Sequence, residues 1–295
     1  MLSILIPTYN YNVYQLVLEL KKQCLNCNME FEILCQDDCS NEFLIENNKI
    51  NALKYCYFSS NEINLGRAQN RNYLASKARF SWLLFLDCDM FPTQNNFIKK
   101  YILSIKKPEH IVVFGGLKYK KEKPEKEKLL RWVYGNKRES LSLKVRKKKP
   151  NSRALTSNLL IQKELFIKNS FDDSITKYGY EDLCFLTALE AKNIHVCHIE
   201  NPTFHLNLET SALFIEKTKT ALENLAFIID SEIINPDDSK IASIYNLLRK
   251  FMLVKLTSHI FKKLESSIRT NLLSENPSLI LFDIYKLGYY CTLKK

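Results

Sequence analysis

With 295 residues, 46% hydrophobic and 25% charged, the chain can bury a full core. Only 6 Gly and 8 Pro argue against long disordered linkers. The 9 Cys are scattered and odd in number, which argues against a disulfide framework and for free thiols in a reducing compartment. The formal net charge of +11 calls for an anionic partner: nucleic acid, an anionic membrane surface or a phosphorylated small molecule.

Leu2 to Ile6 is a short apolar run closed by Pro7, the form of a buried parallel strand, and no charged leader pattern precedes it. Tyr14 to Cys24 carries Leu16, Val17 and Leu20 at helical spacing. Phe31 to Cys35 is a second strand, closed by the polar turn Gln36 to Ser40, and Phe43 to Ile50 a second helix. Tyr55 to Ser59 follows as a strand, Arg67 to Lys77 as a helix, and Trp82 to Leu86 as an apolar strand ending on Asp87. Further on, strands are predicted over Ile111 to Leu117, Leu159 to Ile161 and Ile194 to Val196, with a helix over Glu181 to Ala191 and an exposed Lys/Glu-rich loop after Leu117. From Ser211 the pattern is helical, broken at Asn235-Pro236 and Asn276-Pro277. Strand and helix alternation implies an α/β fold with a mostly parallel sheet flanked by helices, here over residues 1–230, with a helical tail over 231–295. No run reaches the roughly 18 apolar residues of a spanning helix, so a soluble, cytoplasmic protein is expected.

Ligands of such sheets bind at the carboxyl ends of the strands. Thr8 to Asn10, Asp37-Asp38 and Asp87-Cys88-Asp89 fall there. Two carboxylates two residues apart at a strand end can reach one hard cation, and Mg²⁺ or Mn²⁺ keeps positions open for phosphate oxygens. A solvated turn would use the same residues. Cys24 and Cys27 have the spacing of half a zinc site, but no second pair completes it. The basic runs Lys118–Lys128 and Lys144–Lys149 come without any nucleic-acid-binding motif, so nucleic acid is not an expected partner.

Four blocks stand in order: Ser3–Asn10, Glu32–Ser40, Asn64–Asn72 and Phe85–Asp89. Together they resemble the family 2 glycosyltransferases, whose fold is the Rossmann-like GT-A. The resemblance implies an enzyme that takes a nucleoside-diphosphate sugar, a UDP-sugar above others, with Mn²⁺ or Mg²⁺. It implies that Pro7, Thr8 and Tyr9 frame the base and that Asp38 accepts a hydrogen bond from it. It likewise places Asn64, Gly66 and Arg71 over the nucleotide and its diphosphate, although Arg71 could equally form a helix-surface ion pair. Asp87 and Asp89 would hold the metal-bound diphosphate.

Thr176–Leu183 resembles the Gly-x-Glu-Asp segment of inverting members, which implies Asp182 as the general base and Glu181 as the residue orienting the acceptor. Glu181-Asp182 would also suit a helix N-terminus. His205 is favoured as a third metal ligand, with His195 and His198 as competitors. Thr156–Leu159 matches a small-polar loop in which Asn158 would bind the donor sugar, and Trp132 would stack on an acceptor sugar or pack in the core. The acceptor implied is a glycan or a lipid-linked glycan. The tail over 241–268 mixes bases with apolar residues, and could lie peripherally on an anionic membrane or pack with its basic face outward. The alternatives are a sugar-phosphate nucleotidyltransferase, against which the absence of Gly from Pro7–Asn10 counts, and a non-catalytic nucleotide-sugar-binding module.

Overall fold

The computed structural model describes residues 1–294 and divides into two compact units. The first comprises Met1–Tyr119, Glu139–Thr176 and Glu181–Asn207; the second comprises Lys120–Arg138, Lys177–Tyr180 and the chain from Leu208 onward. This grouping differs from a single cut at residue 230, because the helix over Ser211–Asp230 packs against later helices of the second unit.

The first unit holds strands β1 (Leu2–Thr8), β2 (Phe31–Asp37), β3 (Cys56–Ser60), β4 (Trp82–Leu86), β5 (Met90–Pro92), β6 (Val112–Phe114), β7 (Leu117–Lys118), β8 (Asn158–Gln162), β9 (Cys197–His198) and β10 (Thr203–His205). Its helices are α1 (Tyr14–Asn26), α2 (Leu44–Asn48), α3 (Gly66–Lys77), α4 (Phe97–Ile105), α6 (Leu143–Arg146), α7 (Lys163–Lys168) and α8 (Glu181–Ala191). The second unit holds α5 (Leu129–Tyr134), α9 (Ser211–Asp230), α10 (Lys240–Lys250), α11 (Val254–Leu272) and α12 (Leu279–Leu293).

The main sheet runs β3-β2-β1-β4-β8-β6-β9. All neighbours are parallel except those of β8, which runs against both β4 and β6. The inner strands β1, β2, β4, β8 and β6 bury both faces, and the period of two splits their side chains between two cores, while the edge strand β3 is largely exposed. Leu84 and Leu86 join Ile4, Ile6 and Phe97 on one face, while Leu83 and Phe85 join Leu5, Leu74, Phe166 and Phe185 on the other. The chain leaves β1 for β2 on one side and returns to β4 on the other, so the strand order switches at β1. There the carboxyl ends of β1, β2 and β4 open a crevice. Because β8 is antiparallel, its beginning lies at the same edge, with Leu86 opposite Asn158. A small second sheet, β5-β10-β7, pairs Met90 with His205.

Two predicted strands change shape. Ile111–Leu117 breaks into β6 and β7 at Gly115-Gly116. A Cβ on Gly115 would lie 2.4 Å from the Asn201 carbonyl, and Gly116 sits at φ +94°. The strand predicted at Ile194–Val196 is displaced to Cys197–His198, as β9. Ile194 N–H instead donates to Leu189 O (3.0 Å), and Asn151 binds the Ile194 carbonyl (2.9 Å) and the Val196 N–H (3.2 Å). A buried side chain has taken the backbone groups that a strand partner would use.

In the second unit Leu130, Ile215, Phe261, Ile268, Leu272, Phe282 and Tyr285 form one core. Helices α11 and α12 approach closely at Gly288, where an added Cβ would lie 2.4 Å from the Phe261 ring.

Candidate active site

The first two crevice loops are fastened to each other. Asn10, at φ +46°, accepts from Asn41 N–H through Oδ1 (3.0 Å), and its own N–H donates to Ser40 Oγ (2.7 Å). Asp37 is buried and accepts the Ser40 N–H (2.9 Å) and hydroxyl, closing the turn after β2. Pro7 and Thr8 are the last residues of β1, Thr8 is buried, and the Tyr9 side chain is 52% exposed beside them.

Asp38 anchors the third loop. Its Oδ1 accepts from Asn61 Nδ2 (2.9 Å) and Leu65 N–H (2.8 Å), and its Oδ2 from Gly66 N–H (2.9 Å). Asn64 Nδ2 donates to the Asp38 carbonyl (3.0 Å). A carboxylate offers about four acceptor positions, of which these contacts use three and leave one on Oδ2 unused. Gly66 takes φ +80°, the left-handed conformation that favours glycine, and begins α3. Behind this loop Gln36, Asn61, Asn70 and Ser59 form an amide and hydroxyl network with contacts of 2.6–3.2 Å. Of these, Gln36 opens the polar turn visible in the sequence, whereas Asn61 follows β3 and Asn70 lies on α3, where no spacing signals the network.

Arg71, one turn beyond Arg67 on α3, is 2% exposed, so it is not a helix-surface residue. Its Nη2 binds Asp87 Oδ1 at 2.7 Å, its Nη1 lies 3.8 Å from Glu181 Oε1, and Arg67 Nη1 lies 3.6 Å from the same oxygen. The Phe171 ring lies 5.6 Å from its guanidinium carbon. Burial opposes charge on Arg71, but Asp87, Asp182 and Glu181 outweigh it and raise its pKa. Burial likewise opposes ionisation of Asp87, and Arg71 with Arg67 holds it below the ordinary carboxylate range.

Asp182 begins α8 next to Glu181. Its two oxygens accept the Thr156 hydroxyl and the Thr156 N–H (3.1 Å), which ties it to the loop before β8. Burial raises its pKa; Arg71 and the Thr156 hydrogen bond pull the other way, and Glu181 and Asp87 add to the rise. Glu181 is buried and faces Arg71 and Arg67. Among the described residues, Arg71 Nε and Nη1, Glu181 Oε2, Ser157 Oγ and His205 Nδ1 are buried without a hydrogen-bond partner. Native interiors seldom tolerate such atoms, and a bound polar molecule would satisfy them.

Asp89 Oδ2 lies 3.4 Å from His205 Nε2, because β10 pairs with β5 and Leu206 N–H donates to Asp89 O (2.9 Å). The Tyr119 ring stacks on His205 at 5.3 Å. His198 is spoken for elsewhere: Nε2 binds the Pro150 carbonyl (2.8 Å), Nδ1 binds Arg146 (3.1 Å), and burial lowers its pKa to about 4. His195 is exposed. Burial, Asp89 and Asp87 keep the Cys88 thiol protonated. Among the described residues no group of three or more His, Cys, Asp or Glu side chains forms a cation cage. Asp87 faces Arg71, so Asp89 and His205 stand together as a pair.

Asn158 corrects the expectation of a donor contact. It is fully buried; its Nδ2 donates to the carbonyls of Gly116 (2.8 Å) and Asn201 (3.0 Å), and its Oδ1 accepts from Tyr101 (2.7 Å). With its hydrogens and its acceptor already engaged, it fastens β8 to two loops. Its neighbour Thr156 is the residue of that segment that faces Asp182. Asn158→Ala would leave the Asn201 carbonyl without its donor and take one of two hydrogen bonds from the Gly116 carbonyl and from the Tyr101 hydroxyl. Urea unfolding should then show a loss of about 1–3 kcal/mol. Trp132 lies in the second unit, partly exposed, with its indole N–H on the Lys120 carbonyl (2.9 Å).

The mostly parallel sheet, its crevice at β1 and the small sheet beyond β4 define a GT-A fold. A model described as "Glycosyl transferase family 2" matches residues 3–169, more than half of the chain, and the chain belongs to that family. It is 37% identical over 93 residues to an uncharacterized glycosyltransferase of Haemophilus influenzae, a stretch covering 30% of this chain and 29% of that protein. The mannosyltransferase PcManGT from Pyrobaculum calidifontis, solved with GDP-Man and Mn²⁺, superposes with TM-score 0.56 at 12% identity, over 99% of this chain and 84% of that one. S. aureus TarS superposes with TM-score 0.52 at 16% identity, over 99% of this chain and 54% of that one. Its 1–349 fragment in complex with UDP-GlcNAc gives TM-score 0.50 at 17% identity, over 98% and 89%. No helix among the described residues is long and apolar enough to cross a membrane.

Proposed function

We propose that the chain transfers a sugar from a nucleoside-diphosphate donor, a UDP-sugar by preference, to a hydroxyl of a glycan or lipid-linked acceptor, with inversion at the anomeric carbon. The observation that carries this reading is Asp182, a carboxylate of raised pKa held by Thr156 beside the Arg71–Asp87 pair. The acceptor oxygen attacks the anomeric carbon, the bond from that carbon to the diphosphate oxygen breaks, and the hydroxyl proton passes to Asp182. Pro7, Thr8, Tyr9 and the unused acceptor position on Asp38 frame the base, while Asn64 and Gly66 hold the closing loop. Glu181 acts on the acceptor side by keeping Arg67 and Arg71 in place.

Asp89 and His205 fit one hard cation, Mn²⁺ or Mg²⁺, whose remaining positions would go to phosphate oxygens and water. His205 Nε2 is the nitrogen that faces Asp89, and the two would contribute the protein's donors to that cation. Asp87 then serves through Arg71 and through water. The chemistry such a cation would supply there is neutralisation of charge on the departing diphosphate. PcManGT with GDP-Man and Mn²⁺, and the TarS fragment with UDP-GlcNAc, support the donor class. Trp132 is proposed on the acceptor side, and peripheral membrane contact through the basic tail would suit a lipid-linked acceptor.

Nucleoside diphosphate with Mn²⁺ should raise the melting temperature, the stabilisation reaching about 2.7 kcal/mol at a hundredfold excess over Kd. By titration calorimetry with UDP present, Asp89→Asn and His205→Ala should each weaken Mn²⁺ binding at least ~10-fold. Absence of any shift with every nucleoside diphosphate, with or without the cation, would overturn the reading.

A further inference from the structure

Helices α10 and α11 carry an apolar surface that their own packing leaves uncovered. On α11, Ser258, Phe261, Ile268 and Leu272 are buried, with Phe261 against Tyr285 and the Gly288 backbone of α12. That accounts for one face. A second row, Leu253, Leu256, Ile260 and Leu264, recurs at spacings of three and four residues, and every member is exposed. Phe251 and Met252 precede it in the turn from α10. Met252 is 89% exposed at φ +59°, in a turn closed by its N–H to Arg249 O (3.1 Å) and by Leu253 N–H to Leu248 O (2.8 Å).

The charge around this row has one sign. Between Ser239 and Leu264 stand Lys240, Arg249, Lys250, Lys255, Lys262 and Lys263, with no Asp or Glu. All six are exposed, and among the described residues none has a carboxylate partner. Further along the same helix the pattern ends: Arg269 pairs with Glu216 (2.7 Å), and Glu265 pairs with Lys219 (3.3 Å). Two copies meeting through this face would bring unneutralised bases together, which disfavours self-association there. An anionic bilayer answers both features, with headgroups for the bases and the acyl boundary for the apolar row.

We propose that the α10–α11 elbow docks on an anionic lipid surface, inserting Phe251, Met252, Leu253 and Leu256 while the surrounding lysines and Arg249 meet the headgroups. This rests on the proposed function only for its purpose, delivery of a lipid-linked acceptor.

The test is flotation of the full chain with phosphatidylcholine vesicles, with and without phosphatidylglycerol. Binding is expected only to the anionic vesicles and should fall with salt. Met252→Asp with Leu256→Asp, and separately Lys250→Glu with Lys255→Glu, should each lower the bound fraction at least ~10-fold, with melting temperatures unchanged. Wild type that fails to float with anionic vesicles overturns the proposal, as does binding that survives both double variants. Light scattering covers the remaining occupant: a dimer that the Met252/Leu256 variant makes monomeric, with lipid binding unaltered, would assign this face to a second copy instead. Transfer to a soluble acceptor should be equal in wild type and variants, so a failure of docking reads separately from a failure of the proposed activity.

Discussion

Asp182→Asn is expected to lower kcat by about 10²–10⁴-fold, the usual contribution of a positioned general base, while nucleoside-diphosphate affinity and melting temperature stay near wild type. The fold should be spared because asparagine can still accept the Thr156 N–H and can donate to its hydroxyl, the two contacts that hold Asp182 now. The loss would therefore be one of proton acceptance. The pH profile carries the same argument. Burial first, then Glu181 and Asp87, push the Asp182 pKa up against the pull of Arg71 and Thr156. Only the deprotonated form accepts a proton, so kcat/KM should rise with pH along a limb whose midpoint lies above the ordinary aspartate value of about 3.9. Thr156→Val removes a hydrogen bond that favours the carboxylate, and should move that limb to still higher pH. Transfer that persists in Asp182→Asn would remove Asp182 from the mechanism.

Arg71→Met is expected to cost about 3–5 kcal/mol of stability in urea unfolding, the usual consequence of removing one partner from a buried ion pair. Arg71 lies between Asp87 and Glu181 with 2% of its side chain exposed, and without it only the half-exposed Arg67 would offset these two carboxylates and Asp182. Asp87→Asn in the same chain should restore part of the loss, because it removes one of the stranded charges. A single loss below about 1 kcal/mol would mean that water reaches this cluster freely and that the pair behaves as a surface bridge.

Both predictions concern residues visible in the sequence, but visible to different degrees. Asp87, Asp89 and Asp182 could be placed because an apolar run such as Trp82–Leu86 announces a strand and its end, and because helix α8 begins where the Glu-Asp pair suits a helix N-terminus. The direction of each side chain could not be read that way. Asp87 turns to Arg71 and Asp89 to His205, although they stand two residues apart on one loop. Asn158 and Thr156 lie in one small-polar segment, yet one is consumed by Gly116, Asn201 and Tyr101 while the other holds Asp182. The network of Gln36, Asn61 and Asn70 is not legible in the sequence because amide networks have no spacing rule; it forms only where the ends of β2 and β3 meet α3.

The sequence by itself determined the alternating elements, the two-sided burial of the parallel strands and the position of the acidic residues at their ends. These follow from local periodicity and from where apolar runs stop, which neighbouring residues decide. The tertiary structure decided which histidine reaches the acidic loop, which way β8 runs and which polar side chains remain free for a ligand. His205 meets Asp89 only through the pairing of β10 with β5, and His198 is withdrawn only because Arg146 and Pro150 take its two nitrogens. Such partners lie far apart along the chain, so their choice is a property of the closed sheet and its loops.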